Sequence, residues 1–542
     1  MQNLIRRGTQ FVFLFVLFGT LVVSARAATF TVNSTANTTD ADTMDNLCDV
    51  DLSTAGEQCT LRAAIQQANA TPGADVIVFD LAVFGSAQTI SLNSGLPEIT
   101  EHLTITGTSP ALLTIDGTEN VRPFRIASGA AVEISNLSVI RGFVGESSGG
   151  CISNLGSLTL TNAVVRDCEA VLGNGGGIYS SGTLNISGSS IYNNNATGGF
   201  LSGDGGGIYN QGGTASINNS TVRDNQADNS GGGIANDSGT VNITRSTIGS
   251  ATPLGSNRAG NSGGGIFNVD GTTNLTNSTI SGNFATNFGG GYYGFSDIGT
   301  STLTATQTTI ANNQASNGGG IAVSAAVGVS GANINNTIVG DNTASSSGSD
   351  IFGALGNVIS SGYNLIENTS GSNVVLLPTD QSGVDPRLLP LALNGGTTET
   401  HALQNSGGNI SPAIDKGNNT GTDQRGVPRP IDNPNVPPAA GGNNSDIGAF
   451  EAAAGTTAAS VTISGRVVSV NGRGIGNAHV VLIEAGGTVR QTVTNSFGYY
   501  RFADVAAGQT ATLEVRSKRY GFAPQIININ GEMSDLNFIA QP

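Results

Sequence analysis

The 542-residue chain has no tryptophan, three histidines and three methionines, and only 11% of its residues are charged. Apolar residues still reach 38% and glycine fills 78 positions. Such a chain is neither a charge-rich disordered polymer nor an ordinary helical enzyme. The scarcity sharpens in the middle: between residues 140 and 345 there is no histidine and no lysine, and the glutamates are Glu146 and Glu169. A lysine or histidine base is therefore excluded from that stretch. Long apolar runs are also missing beyond FVFLFVLFGTLVV near the N-terminus, and no later segment approaches the roughly 20 apolar residues of a membrane helix. Arg6 and Arg7 before that run, and Ala25-Arg26-Ala27 after it, have the layout of a secretory leader, so residues 1–27 are expected to direct export. Its removal takes three arginines and no acid, moving the formal charge from −16 to −19. An acidic exported chain argues against nucleic acid and anionic membranes as partners.

What is abundant is a phrase. GDGGGIYNQGGTASINNSTVRDNQ and NSGGGIANDSGTVNITRSTIGS are nearly the same sentence twice. Aligning the apolar residue after each glycine cluster gives the column Ile152, Ile178, Ile208, Ile234, Ile266, Tyr292, Ile321. A second column follows, Val165, Ile191, Val222, Ile248, Ile280, Ile310, Val339. Five residues before its members stand Leu160, Ile186, Ile217, Ile243, Leu275, Ala305, Ile334. Ile126, Ile134 and Val139 continue the three columns one coil earlier. Short alternating segments such as TLNIS and TVNIT, recurring with this constant offset, predict about three strands per coil and no helix. The all-β fold expected is a right-handed parallel β-helix over residues 75–383, each coil advancing about 4.8 Å.

Three residues after the second column stand Cys168, Asn194, Asn225, Asn283, Asn313 and Asn342, with Asn257 after an insertion. Asparagines at one turn position can join their amides into a ladder and accept left-handed backbone angles. Of the four cysteines, Cys48 and Cys59 share a short loop and are expected to pair. Cys151 replaces the third glycine of a triplet and Cys168 an asparagine, which assigns them to different corners of one coil and leaves their pairing open.

The GGGIYN and NSTISGN phrases resemble those of bacterial right-handed β-helix surface proteins, in the style of the pectin-lyase-like superfamily and polymorphic outer-membrane protein repeats. Residues 28–74 resemble the CSLREA domain of exported bacterial proteins, the motif reading Cys59-Thr60-Leu61-Arg62-Ala63-Ala64-Ile65. Leu61, Ala64, Ile65 and Ala68 share one helical face and are expected to close the apolar end of the rod. Asp40, Asp42, Asp45, Asp49 and Asp51 crowd the same module. They could wrap Ca²⁺, although the loop lacks the glycine and glutamate of an EF-hand and also reads as a solvated acidic loop; no other cofactor is implied.

Residues 384–451, with VDPRLLPLALNGG, SPAIDKG, TDQRGVPRP and SDIGAFE, look like the terminal segment of such proteins and are expected to finish the last coil. A catalytic arrangement could be drawn from His401 with Asp415 or Asp423, but no spacing defines a reaction. AAAGTTAAS within 452–460 reads as a linker. Strand-length alternation then resumes with VTISGRVV, GIGNAHVVLIEAGG and SFGYYRF, predicting a small antiparallel β-sandwich over 461–542, of prealbumin or immunoglobulin type. These phrases resemble the carboxypeptidase regulatory-like domain. The H-x-x-E spacing of a zinc peptidase is missing, since Val480, Val481 and Leu482 follow His479. Tyr499, Tyr500, Phe502, Tyr520 and Phe522 are expected to pack between its sheets, the alternative being that an exposed few stack on sugar rings.

The best chemical constellation in the repeat is Arg166-Asp167 with Arg223-Asp224, in equivalent columns two coils apart, with Asp341 further along the aspartate column. Such spacing suits contacts to a polymer, and adjacent Arg and Asp also neutralise one another. The expectation is a non-catalytic surface or extracellular scaffold for adhesion or glycan binding, with Arg166, Arg223 and Asp224 as contacts. The alternative is a polysaccharide lyase or glycosidase working through Arg166, Asp167, Arg223 and Asp224 on an acidic polymer.

Overall fold

The computed structural model describes residues 27–199, 202–251, 256–353, 356–405, 409–453, 460–484, 488–507, 509–517, 519–529 and 531–541. The leader, but for residue 27, and most of the expected linker lie outside the described residues.

One coil shows why the phrases fold as they do. Ile178–Ser180, Thr183–Ser187, Ser190–Tyr192 and Asn195–Thr197 are short strands. Their alternate residues Ile178, Leu184, Ile186, Ile191 and Ala196 point inward and are fully buried. Each strand pairs in parallel with its counterparts in the coils before and after, generating faces of 9, 12, 12 and 8 strands, here called first to fourth in coil order. The three sequence columns are the inward columns of the first three faces: Ile178 pairs with Ile208, Ile186 with Ile217 and Ile191 with Val222. A coil holds four strands rather than about three. The fourth is two or three residues long in most coils, too short for its alternation to be read. Ile126 is also displaced: Phe124 stands opposite Ile152, and Ile126 opposite Asn154. Both side chains point inward, so alternation alone could not choose between them.

The corners explain the composition. The first glycine of each triplet, such as Gly205 (φ +67°), is left-handed, and so are Asp167, Asn193, Asp224, Asn312 and Asp341 between the third and fourth faces. One residue on runs the asparagine ladder. Asn194 Nδ2 donates to Asn225 Oδ1 (2.9 Å), Asn225 to Asn257 (3.0 Å), Asn257 to Asn283 (2.9 Å), Asn283 to Asn313 (2.8 Å) and Asn313 to Asn342 (3.0 Å). The ladder ends on the Asp350 carboxylate, 2.9 Å from Asn342 Nδ2. A second buried ladder, Asn210 to Asn236 to Asn268, closes the first face.

The third glycine of each triplet lies against this ladder: a Cβ on Gly207 would sit 2.9 Å from Asn225 Nδ2, and one on Gly177 3.0 Å from Asn194 Cγ. One coil earlier that glycine–asparagine pair is Cys151 and Cys168, and the two are disulfide-bonded. They sit on the two corners that flank the short fourth face, as expected, and the glycine corner folds inward onto the ladder, which brings their Cα atoms to 5.5 Å. Cys48 and Cys59 are bonded as well.

At the N-terminal end, Thr29–Val32 is already a rung of the second face, paired with Ala74–Phe79. Helix Leu61–Ala70 starts at Thr60, whose side chain accepts from Ala63 N, and buries Leu61, Ala64, Ile65 and Ala68 in the rod's core. Arg62 is buried too, and its guanidinium donates to the carbonyls of Ser94 (2.6 Å) and Gly95 (2.9 Å), tying the helix to the first coils.

The C-terminal sandwich has one sheet of Tyr499–Ala506, Ser460–Val468 and Phe538–Ile539, and another of Val489–Val493, His479–Ile483, Gln509–Arg516 and Gln525–Ile529. All its pairings between these strands are antiparallel except that of Val467 with Phe538. Tyr500 and Phe502 are buried between the sheets, as expected. Tyr499 is not: it is 54% exposed, because neighbours along a strand face opposite ways.

Candidate functional site

Residues 384–451 do not stack as a last coil. Leu365–Ile366 and Gln381–Ser382 form the last rungs of the third face, and the chain then runs back along the flank of the rod. Thr247 Oγ1 donates to Glu399 O (2.6 Å), Thr279 Oγ1 to Gln424 Oε1 (2.7 Å), and Ala449 N to Thr309 Oγ1 (3.1 Å). One outward column of the third face anticipates this strap, reading Arg166, Tyr192, Arg223 and then Gly249, Ser281, Ala311, Gly340. The large residues stand where the face is open, and the small ones where the strap packs. Ile338 and Leu365 join Leu403, Ile414, Ile447 and Phe450 of the strap in a separate apolar core.

His401 belongs to this interlock. Its Nδ1 lies 2.8 Å from Leu389 O, a carbonyl that can only accept, so Nδ1 carries the proton and Nε2 accepts from Ser281 Oγ at 2.8 Å. Burial holds the imidazole below its usual pKa. Neither Asp415 nor Asp423 meets it: Asp415 accepts from Asn433 N, and Asp423 pairs with Arg425 (2.6 Å).

Beside the strap, where the third face turns into the fourth, four recesses join end to end. Their volumes are about 480, 350, 580 and 720 Å³. The first two share Asn193, the next two Ser256 and Arg258, and the last two Asp341, Leu388 and Leu389. The trough runs from the Gly142 corner to the Asp341 corner, seven coil steps or about 34 Å. Its far part is walled by the strap residues Leu388–Leu391.

Asp167, Arg223 and Asp224 line this trough. Arg166 is ion-paired with Asp167, and Arg223 with Asp224. The Arg223 guanidinium lies 4.5 Å from the Tyr192 ring centroid. The arginine of greater interest is Arg258. It lines the two central recesses and a side recess, is exposed, and lies 4.4 Å over the Phe284 ring with no carboxylate partner among the described residues. The insertion after Ile248 hides its place in the repeat; the signal was the pairing of Gln226, Arg258 and Phe284 in one outward column. Asp341, at the junction of the last two recesses, has its carboxyl pushed up to about 6 by burial and by the nearby carboxylates Glu367 and Asp385.

The five N-terminal aspartates are engaged in turns. Oδ1 of Asp40, Asp42, Asp45, Asp49 and Asp51 each accepts the backbone N–H two residues on. Among the described residues, no group of three or more His, Cys, Asp or Glu side chains is arranged to hold a metal ion, and no helix is long and apolar enough to cross a membrane.

A parallel β-helix with an open trough on one corner and a strap on its flank thus carries a small sandwich. Residues 462–539 of that sandwich match the carboxypeptidase regulatory-like domain family. No curated protein and no solved structure matches the chain.

Proposed function

We propose that this is an exported, cell-surface or extracellular scaffold that holds a glycan chain along the trough. The observation carrying the reading is the continuity of four recesses over about 34 Å, a length suited to a polymer rather than a small ligand. The lining has the chemistry of sugar recognition: the amides of Asn193, Asn195, Gln226 and Gln314, and rings at Tyr192 and Phe284. The leader-like N-terminus and the likeness of residues 28–74 to the CSLREA domain support export, and the closed N-terminal end suits a rod that works as a monomeric surface.

Cleavage of the polymer has one observation in its favour, the near-neutral carboxyl of Asp341 beside Glu367 and Asp385, which suits a general acid. A single assay separates the two. The mature chain is incubated with and without Ca²⁺ on neutral and acidic polysaccharides, reading retention and the release of reducing ends or unsaturated uronates. Retention without release supports the scaffold; release that Asp341→Asn abolishes overturns it.

A further inference from the structure

The sandwich carries a surface that the trough does not use. On the outer face of its three-stranded sheet, Arg466 stands opposite Tyr499 and Arg501 opposite Ser464. The two arginines are diagonal neighbours, roughly 7–8 Å apart along the backbone. The Arg466 guanidinium lies 5.1 Å from the Tyr499 ring centroid and donates from Nε to Phe497 O (2.8 Å). Arg501 donates to Thr462 Oγ1 (3.1 Å). Neither has a carboxylate partner among the described residues, and both Tyr499 and Phe497 are more than half exposed.

The outward positions of the two paired strands here are Thr462, Ser464 and Arg466 on one, and Tyr499, Arg501 and Ala503 on the other, with the exposed Asp504 following at the bulge opposite Thr462. This cationic face sits in a chain of net charge −16, whose residues 461–542 alone hold seven Lys and Arg against five Asp and Glu. A surface that gathers unpaired guanidinium groups against the sign of the whole chain, beside hydroxyls and exposed rings, fits a carboxylate-bearing, hydroxyl-rich partner.

We infer that the outer face of this sheet is a binding site for an acidic, uronate-bearing polysaccharide. The planar guanidinium groups of Arg466 and Arg501 take its carboxylates, while Thr462 and Ser464 meet hydroxyls and Tyr499 and Phe497 offer apolar contact to the sugar rings. The inference stands independently of the trough, which lies on the other domain and is lined by other residues.

The test is affinity electrophoresis of the full mature chain in gels containing polygalacturonate or neutral dextran. Polygalacturonate is expected to retard the parent, with the effect lost in 0.5 M salt as screening removes the contacts. Arg466→Gln/Arg501→Gln should weaken the retardation about tenfold or more, whereas Arg125→Gln, an exposed arginine on the first face of the rod and outside the trough, should leave it unchanged. Arg501 is exposed and Arg466 half-buried, so an unaltered melting temperature is the check that the fold is intact, and Tyr499→Ala supplies a second reading of the same face. Retardation of the double variant equal to the parent would overturn the inference. So would equal retardation by dextran, or binding to anionic phospholipid vesicles that the double variant loses while polygalacturonate has no effect.

Discussion

The asparagine ladder makes the sharpest quantitative prediction. Asn257 is fully buried, and four hydrogen bonds converge on it. Its Oδ1 accepts from Asn225 N (3.1 Å) and Asn225 Nδ2 (3.0 Å), and its Nδ2 donates to Val222 O (2.9 Å) and Asn283 Oδ1 (2.9 Å). Asn257→Ala removes all four without admitting water. A buried group left unpaired costs about 1–3 kcal/mol, and Asn225 Nδ2 keeps a second acceptor in Ile191 O, so the expected loss is about 3–5 kcal/mol. The control is Asn274→Ala. Asn274 donates to Asn242 at 2.9 Å, but both are half-buried on the outer surface of the second face, where water can replace the bond, and the cost should stay within about 1 kcal/mol. Guanidinium-induced unfolding followed by the β-sheet circular dichroism signal reads both. Equal and small shifts for the two variants would refute the reasoning, because the inner ladder would then be no more than a by-product of the coil spacing.

Other expectations follow from the same geometry. Burial pushes Asp350 up to about 7 and Asp204 and Asp341 each to about 6, so the folded chain holds protons that the unfolded chain releases near the ordinary 3.8. That stability is present at low pH and lost as pH rises through 6 to 7; the melting temperature should therefore climb from pH 8 to pH 5. Asp350→Asn, which continues the ladder with a neutral amide, should flatten the upper part of that profile. Opening the Cys151–Cys168 bridge, which spans 17 residues of sequence, should cost about 3 kcal/mol in the Cys151→Ser/Cys168→Ser variant, and the native chain should show no free thiol. Ala311→Tyr, placing a large side chain under the strap, should cost about 1–3 kcal/mol and speed proteolysis within 384–451, whereas Tyr192→Ala on the open part of the same face should leave the strap in place.

The columns were legible because the inward side chains of a coil have no choice: a one-residue slip would turn Ile186 or Ile191 out to solvent. What could not be read is what depends on neighbours from distant sequence. The shift from Ile126 to Phe124 keeps the same inward face, so no pattern penalises it. The Cys151–Cys168 bridge needed the knowledge that the third glycine packs on the asparagine ladder, a contact that leaves no mark in the spacing itself. The flanking strap was announced only by the change from Arg166, Tyr192 and Arg223 to Gly249, Ser281 and Ala311, which reads as random until something is known to lie there. At the trough, sequence reasoning found Asp167, Arg223 and Asp224 but weighed Arg166 above Arg258. An arginine beside an aspartate is conspicuous in a sequence, while one left unpaired by an insertion is not.

The central claim is that the trough holds an extended chain, and its most direct test is the dependence of affinity on ligand length. Dissociation constants would be measured by calorimetry for a ladder of defined oligosaccharides from the polysaccharide that the chain retains best. The account predicts affinity that rises with each added sugar and levels off once the oligomer fills about 34 Å, with the plateau lowered by Arg258→Gln and Phe284→Ala. Affinity that is already complete for a disaccharide, or that ignores both substitutions, would contradict it.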